Sequence, residues 1–145
     1  MLVGWDDHEI LDDWGKQRLI AEGHGELFEN GARAFFEYWP VQGPAVEPQR
    51  LYRRQRWGPH AELFVLDVRS YRAQHISVST GTTPQMSTML GQTQLDWLLA
   101  GLADSTATWR FVVTSVPLSY PTGYPRPKET GYDGWVRGGF TGFFN

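Results

Sequence analysis

No cysteine occurs among the 145 residues, which excludes a disulfide framework and any thiolate metal site. That absence does not identify the compartment, because exported chains can lack cysteine too. Positive charge is scarce as well. With 13 Lys and Arg against 16 Asp and Glu, the net charge is −3, so neither a general nucleic-acid-binding surface nor an acidic-membrane partner is expected. No apolar run approaches the roughly 18–20 residues that a membrane span needs. The opening "MLVGWDDHE" lacks a basic leader and a small-residue cleavage site, so it does not read as a signal peptide. There is no internal repeat and no low-complexity tract. The length suits one domain, which at this size buries roughly 68–70% of its unfolded surface.

What is present is concentrated. Residues 3–15, "VGWDDHEILDDWG", hold five carboxylates (Asp6, Asp7, Glu9, Asp12, Asp13) and His8, with no Lys or Arg before Lys16. Like charges this close repel, and burying them unpaired costs several kcal/mol each, so a positive partner must exist. Aromatic residues are also abundant, at 14% with seven Trp. The chain stops in "GGFTGFFN" with no closing element, and both ends read as cut.

Periodicity places the elements. Residues 1–5 form a short apolar run that reads as a buried strand. Phe28, Ala32, Phe35 and Trp39 recur at helical spacing, with Gly31 inside that helix and Pro40 ending it. "RLYRRQRWG" and "AELFVLDVR" read as a hairpin-like strand pair around Gly58-Pro59, with residues 63–66 in a central, covered strand. Residues 77–87 read as an exposed loop without a phosphate-binding glycine pattern. Thr93 is the expected N-cap of a helix carrying Leu95, Leu98, Leu99 and Leu102, with Asp96 completing an approximate capping box. Residues 109–116, "WRFVVTSV", read as a further buried strand stopped by Pro117. The order strand, helix, strand pair, helix, strand is α/β. Polar groups follow the strands: Asp6 to Glu9 after the first, Asp67 and Arg69 after another, Ser119 past the last. Open α/β sheets place ligand sites at such strand ends.

Packed carboxylates with an imidazole suit a hard cation such as Ca²⁺, Mg²⁺, Mn²⁺ or Fe³⁺. The alternative is that Asp12 and Asp13 are a solvated loop and only some of the others pair with Arg. Arg50, Arg53, Arg54 and Arg56 would suit phosphate, or would line a strand face and pair with carboxylates; Arg54 and Arg56 share one side and Arg53 lies opposite. Asp67 and Arg69 read either as support for a site or as a structural ion pair. His24, His60 and His75 have no ligand spacing to an acidic partner and read as loop residues.

"WDDHEILDDW", "LYRRQRWGPHAELFVLDVRSYR" and "TMLGQTQLDWLLAGLADSTATWRFVVTSVPLS" resemble, in order and spacing, the PhoD-like family (alkaline phosphatase D), metal-dependent phosphoesterases with a calcineurin-like core. The resemblance covers most of residues 1–119. It implies a partial calcineurin-like layered α/β sandwich over residues 1–145. It also implies phosphomonoester or phosphodiester hydrolysis at a site holding Ca²⁺ and Fe³⁺, with Mn²⁺ or Mg²⁺ as other candidates, where a metal-activated hydroxide attacks phosphorus. Members are often exported, to the periplasm or beyond.

Carried over residue by residue, the resemblance makes Asp7 a metal ligand and His8 the phosphate contact and acid. Asp6 becomes a second ligand candidate and Glu9 a ligand or supporting group; Asp67 and Arg69, from their shared side at a strand end and not from the resemblance, are candidate substrate-binding or supporting groups. Members often carry Asn where this chain has Asp12 and Asp13. Two family blocks have no counterpart here: an upstream G-D block that bridges the metals and a downstream G-D-x-H strand end. The chain therefore reads as an internal fragment, and an isolated fragment is expected to be inactive. The reading from another class is a non-catalytic binding or structural fragment with exposed aromatics, in which the tail "PTGYPRPKETGYDGWVRGGFTGFF" packs on a missing part or walls the site.

Overall fold

Apolar spacing decides where the helices lie. The computed structural model describes residues 2–73 and 88–118. Its elements, in order, are α1 (Lys16–Ala21), α2 (Gly25–Tyr38), β1 (Arg53–Trp57), β2 (Ala61–Val65), α3 (Gly91–Asp104) and β3 (Trp109–Val113). On α2, Phe28, Ala32 and Phe35 are buried along one stripe, as their spacing predicts. Trp39 falls just past the helix end and is partly exposed, its ring 6.4 Å from Phe35.

The strands form one sheet of order β1-β2-β3. β1 and β2 are antiparallel, joined through a turn in which Gly58 takes φ +60°, so the expected hairpin forms. β2 and β3 are parallel across the α3 crossover, with Leu63 opposite Phe111. Helices combined with a parallel strand pair make this the α/β class that the element order implies. Among the described residues, no helix is long and apolar enough to cross a membrane.

Two cores result. The first joins α1 and α2 to the N-terminal segment through Trp5, Trp14, Leu19, Phe28 and Phe35. The Trp5 and Trp14 rings meet edge to face at 5.1 Å. The second packs α3 on the sheet through Phe64, Leu66, Met89, Leu90 and Leu98. Glycine sets the approach at both. A Cβ at Gly31 would lie 2.8 Å from Ile10 Cγ1, so the glycine that weakens α2 is what admits the turn carrying Ile10. A Cβ at Gly101 would lie 2.7 Å from Cε1 of the fully buried Phe64. Gly101→Ala should therefore destabilise by about 1 kcal/mol. Helix propensity returns about 1 kcal/mol, but overpacking costs about 1–3. A urea midpoint above the wild type's would contradict this.

Three expectations are corrected. Residues 2–5 form no strand; instead the Val3 carbonyl accepts a bond from Arg53 Nη2 (2.9 Å) and Trp5 enters the first core. Of residues 2–5 only Trp5 is buried, against Phe28 and Phe35 of α2, while Leu2 is 52% exposed. The strand expected over 109–116 is shorter and exposed along its length, because β3 is an edge of the described sheet and α3 packs over Phe64 of β2 instead. The side under α3 carries Glu62 and Phe64, both buried, while Val112 beside Phe64 is 41% exposed; on the opposite side Val65 is buried and its neighbours Phe111 and Val113 are exposed. The α3 helix also starts before Thr93, and Thr88 Oγ1 accepts the Gly91 N–H at 2.9 Å. Asp96 instead accepts a side-chain bond from Gln92 at 2.7 Å.

Candidate functional site

The acidic block folds into a tight turn between the first core and the C-terminal end of β2. Asp7 organises it. Its backbone carbonyl accepts the N–H groups of Ile10 and Leu11, both at 3.0 Å. Its carboxylate accepts the His8 N–H (2.9 Å) on one oxygen and the Asp13 N–H (3.3 Å) on the other. Asp13 closes the turn in the left-handed region at φ +54°. Glu9 reaches back to the Asp6 N–H at 2.8 Å, and Trp14 Nε1 donates to the Asp6 carbonyl at 2.8 Å.

The positive partners come from outside the block. Arg69 is completely buried and donates from Nε (3.0 Å) and Nη2 to Asp6 Oδ1, and from Nη1 to the Trp14 carbonyl (3.3 Å). The same Nη2 lies 4.0 Å from Asp7 Oδ1. Arg18 on α1 donates to the Asp13 carbonyl at 3.2 Å, and Arg72 donates to the same oxygen. Three guanidinium groups thus hold the turn, two of them on one carbonyl oxygen. Burial tends to raise the Asp7 pKa, but the Asp13 amide, the Arg69 charge and the remaining amide bonds outweigh it and hold the carboxyl below its ordinary value.

Behind the turn, Asp67 is buried and accepts on Oδ1 from Trp5 Nε1 (3.0 Å), the Arg69 N–H (3.1 Å) and the Ser70 N–H (2.9 Å). Asp67 and Arg69 therefore meet through backbone and side chain, while the Arg69 guanidinium turns to Asp6. In front, Asp7, His8 and Asp12 each present a donor atom, all within 4.8 Å of one another. His8 Nε2 is 3.5 Å from Asp12 Oδ1 and 3.8 Å from Asp7 Oδ2. The His8 and Asp12 side chains are 81% and 76% exposed and that of Asp7 is 16%, so the group opens to solvent with Asp7 at its floor. Among the described residues it is the one such group.

Asp6, Asp7, His8, Asp67 and Arg69 thus gather in one region, and Asp12, doubtful from sequence, joins the converging donors. Arg54 and Arg56 share the buried Glu62, at 2.5 and 3.7 Å, as their common strand side implies, and Arg50 lies 3.9 Å from Glu47. His60 contacts Thr108 Oγ1 at 3.3 Å, and His24 precedes α2. His75, the loop over 77–87, Ser119 and the aromatic tail lie outside the described residues. Sequence reasoning missed α1 with Arg18, the carbonyl contact of Arg72 and the role of Gln94. For Gln94 a signal existed: an amide spaced four residues after Leu90 and four before Leu98, on the buried face.

Acid stability follows from two carboxyls. Bonds from Arg54 and Ser105 lower the pKa of Glu62 against the effect of burial, and Asp7 is also lowered, from ordinary values of 4.5 and 3.8. A depressed folded pKa contributes stability that is complete above the unfolded value and lost as pH falls through the folded one. Unfolding free energy should therefore hold steady down to about pH 5 and fall steeply below about pH 4. Glu62→Gln should flatten that fall in urea titrations across the range; an unchanged acid limb would contradict the assignment.

The family model for PhoD-like phosphatase matches residues 1–140. Alkaline phosphatase D of Bacillus subtilis (strain 168) is 28% identical over 132 residues, covering 79% of this chain and 22% of the relative. A solved structure of PhoD aligns with a TM-score of 0.64 at 26% identity, over 81% of this chain and 24% of that one. The chain therefore spans less than a quarter of the length of either relative.

Proposed function

The chain belongs to the PhoD-like phosphatase family, and from that premise we propose that its acidic turn contributes to a site for metal-dependent hydrolysis of phosphomonoesters or phosphodiesters. The observation that carries the reading is the convergence of Asp7, His8 and Asp12 within 4.8 Å on a turn fixed by three arginines. Two carboxylates and an imidazole fit a hard cation of the Ca²⁺, Mn²⁺, Mg²⁺ or Fe³⁺ class. When bound, such a cation polarises a phosphoryl oxygen and offsets the charge that develops in displacement.

The chain's own residues divide the remaining work. Asp7 is held anionic, so it is ready to ligate without first losing a proton. His8 stands exposed beside it and has two alternative parts through Nε2: it completes the ligand set, or, left unligated, it contacts the phosphate and donates a proton to the departing oxygen. Asp6 has an oxygen engaged by Arg69, which supports a holding role for it alongside the ligand role that the family resemblance gives it. Asp12 is the more open second carboxylate. Arg69 is too buried to touch substrate and acts by fixing the turn.

Three donors are fewer than the six to eight that Ca²⁺ takes, so the affinity of this chain should be weak, on the order of 10⁻⁴ M or weaker. Calorimetric titration with Ca²⁺ and Mn²⁺ tests this. One weak site abolished by Asp7→Asn is expected; no binding, or binding below micromolar, would sink the reading. The exposed Trp57, Trp109 and Phe111 favour the second reading, a binding or structural segment. Cleavage of bis-p-nitrophenyl phosphate in the presence of Mn²⁺ would favour the enzyme.

A further inference from the structure

A buried amide on an apolar helix face needs a reason. Gln94 is almost fully buried on α3, in line with Leu90, Leu98 and Gly101. A leucine there would bury more apolar surface without a polar group to satisfy. Its three hydrogen bonds show what the amide does. Oε1 accepts the Asp67 N–H at 2.8 Å, while Nε2 donates to the Asp67 carbonyl (2.8 Å) and the Leu90 carbonyl (3.1 Å). The amide orientation is forced, because an N–H can only donate and a carbonyl can only accept.

This contact sits where the chain leaves the sheet. The Leu66 N–H still pairs with the Val113 carbonyl of β3 at 2.9 Å. At the next residue, the Gln94 amide takes the Asp67 N–H and carbonyl together, as a strand neighbour would. The direction in which residues 67–70 depart is thus set by a side chain of α3. The carboxylate itself is held on one oxygen only, since Oδ2 is buried without a hydrogen-bond partner, so the backbone clamp is a second, separate hold on this residue. From that fixed point, Asp67 Oδ1 takes the Trp5 indole, and two residues on Arg69 takes Asp6 and approaches Asp7.

We propose that Gln94 is a positioning residue of the candidate site: by clamping the backbone of Asp67 it aims Arg69 and Asp67 at the turn that presents Asp7, His8 and Asp12. The metal consequence rests on the reading under Proposed function, but the positioning itself does not. The test compares Gln94→Met, which keeps the shape and removes the bonds, with Leu98→Ala. Leu98 belongs to the same buried face of α3, packs in the second core and serves as a purely structural control.

In isotope-labelled full chain without cation, solvent exchange of the Arg69 Nε–H and the Trp5 indole N–H is measured well below the thermal transition. Gln94→Met should speed both about tenfold, and Leu98→Ala should leave both unchanged while still lowering the transition. Gln94→Asn keeps the amide but draws it back by one methylene from the Asp67 backbone and should show the same effect more weakly; it carries the test if Gln94→Met does not fold. In a second arm, Mn²⁺ affinity should fall about tenfold in Gln94→Met and stay at the wild-type value in Leu98→Ala. Exchange rates in the Gln94 variants equal to those in Leu98→Ala overturn the proposal. A wild type that binds no Mn²⁺ removes the metal reading alone and leaves the exchange comparison to decide the positioning role.

Discussion

Replacing Arg69 with methionine should lower the stability of the chain by about 3 kcal/mol, among the largest losses of any single substitution outside the apolar cores. Methionine fills most of the volume of the arginine stem, so the loss reads the guanidinium and not a cavity. Two donors to Asp6 and one to the Trp14 carbonyl disappear together. The Asp6 side chain is 41% exposed and rehydrates in part, which keeps the cost below that of a fully buried orphan charge. Arg69→Lys should fall between, because an ammonium keeps the charge but cannot fork to both partners. Asp7 loses a neighbouring cation that lowers its pKa, so its folded pKa rises towards the unfolded one. Stability that depended on the difference is then smaller above the carboxylate range. Urea midpoints at unchanged slope read the effect, and a loss under about 1 kcal/mol would show that the guanidinium does not hold the turn.

How much of this was legible in the sequence depended on what kind of force wrote each feature. α2 was legible because burial of one helix face leaves a 3–4 spacing, which Phe28, Ala32 and Phe35 carry; the four leucines marked α3 as a helix but not its buried face, which runs through Gln94, Leu98 and Gly101 and leaves Leu99 57% exposed. The hairpin was legible because Gly58 stands between two runs that differ in polarity. Arg54 and Arg56 on one carboxylate followed from the two-residue period of a strand. The six-residue α1 was not legible, because only Leu19 is buried along it and one buried position has no period. The run over 1–5 misled because five apolar residues fix neither pairing nor burial: among its described residues Trp5 is buried and Leu2 is exposed. β3 misled for the converse reason: β-branched and aromatic content marks a strand, but the covering layer is a matter of topology. At the site, residue types pointed to Asp6, Asp7 and His8, whereas their cations lie far along the chain. Arg69 is separated from Asp6 by 63 positions, a distance at which spacing carries no information.

The exposed and buried members of the acidic turn should also separate in their effect on cation binding. Asp7→Asn is expected to weaken Mn²⁺ or Ca²⁺ affinity by about 100-fold or more, and Asp12→Asn by about tenfold. Each replaces a carboxylate with an amide of the same shape and removes one ligand charge. At Asp12 little else changes, because its side chain stands in solvent. At Asp7 the change also breaks the turn. Both carboxylate oxygens accept backbone N–H groups, from His8 and Asp13, and an asparagine turns an NH₂ towards one of them. Two donors then face each other at a mostly buried position, and the left-handed Asp13 loses its anchor. The His8 and Asp12 donor atoms no longer converge, so the variant loses the arrangement as well as the charge. Calorimetric titration of the two variants beside the wild type, at a temperature where all three are folded, separates these contributions. Equal losses would mean that the two carboxylates act alike as exposed point charges and that the anchoring of Asp7 has no bearing on the site.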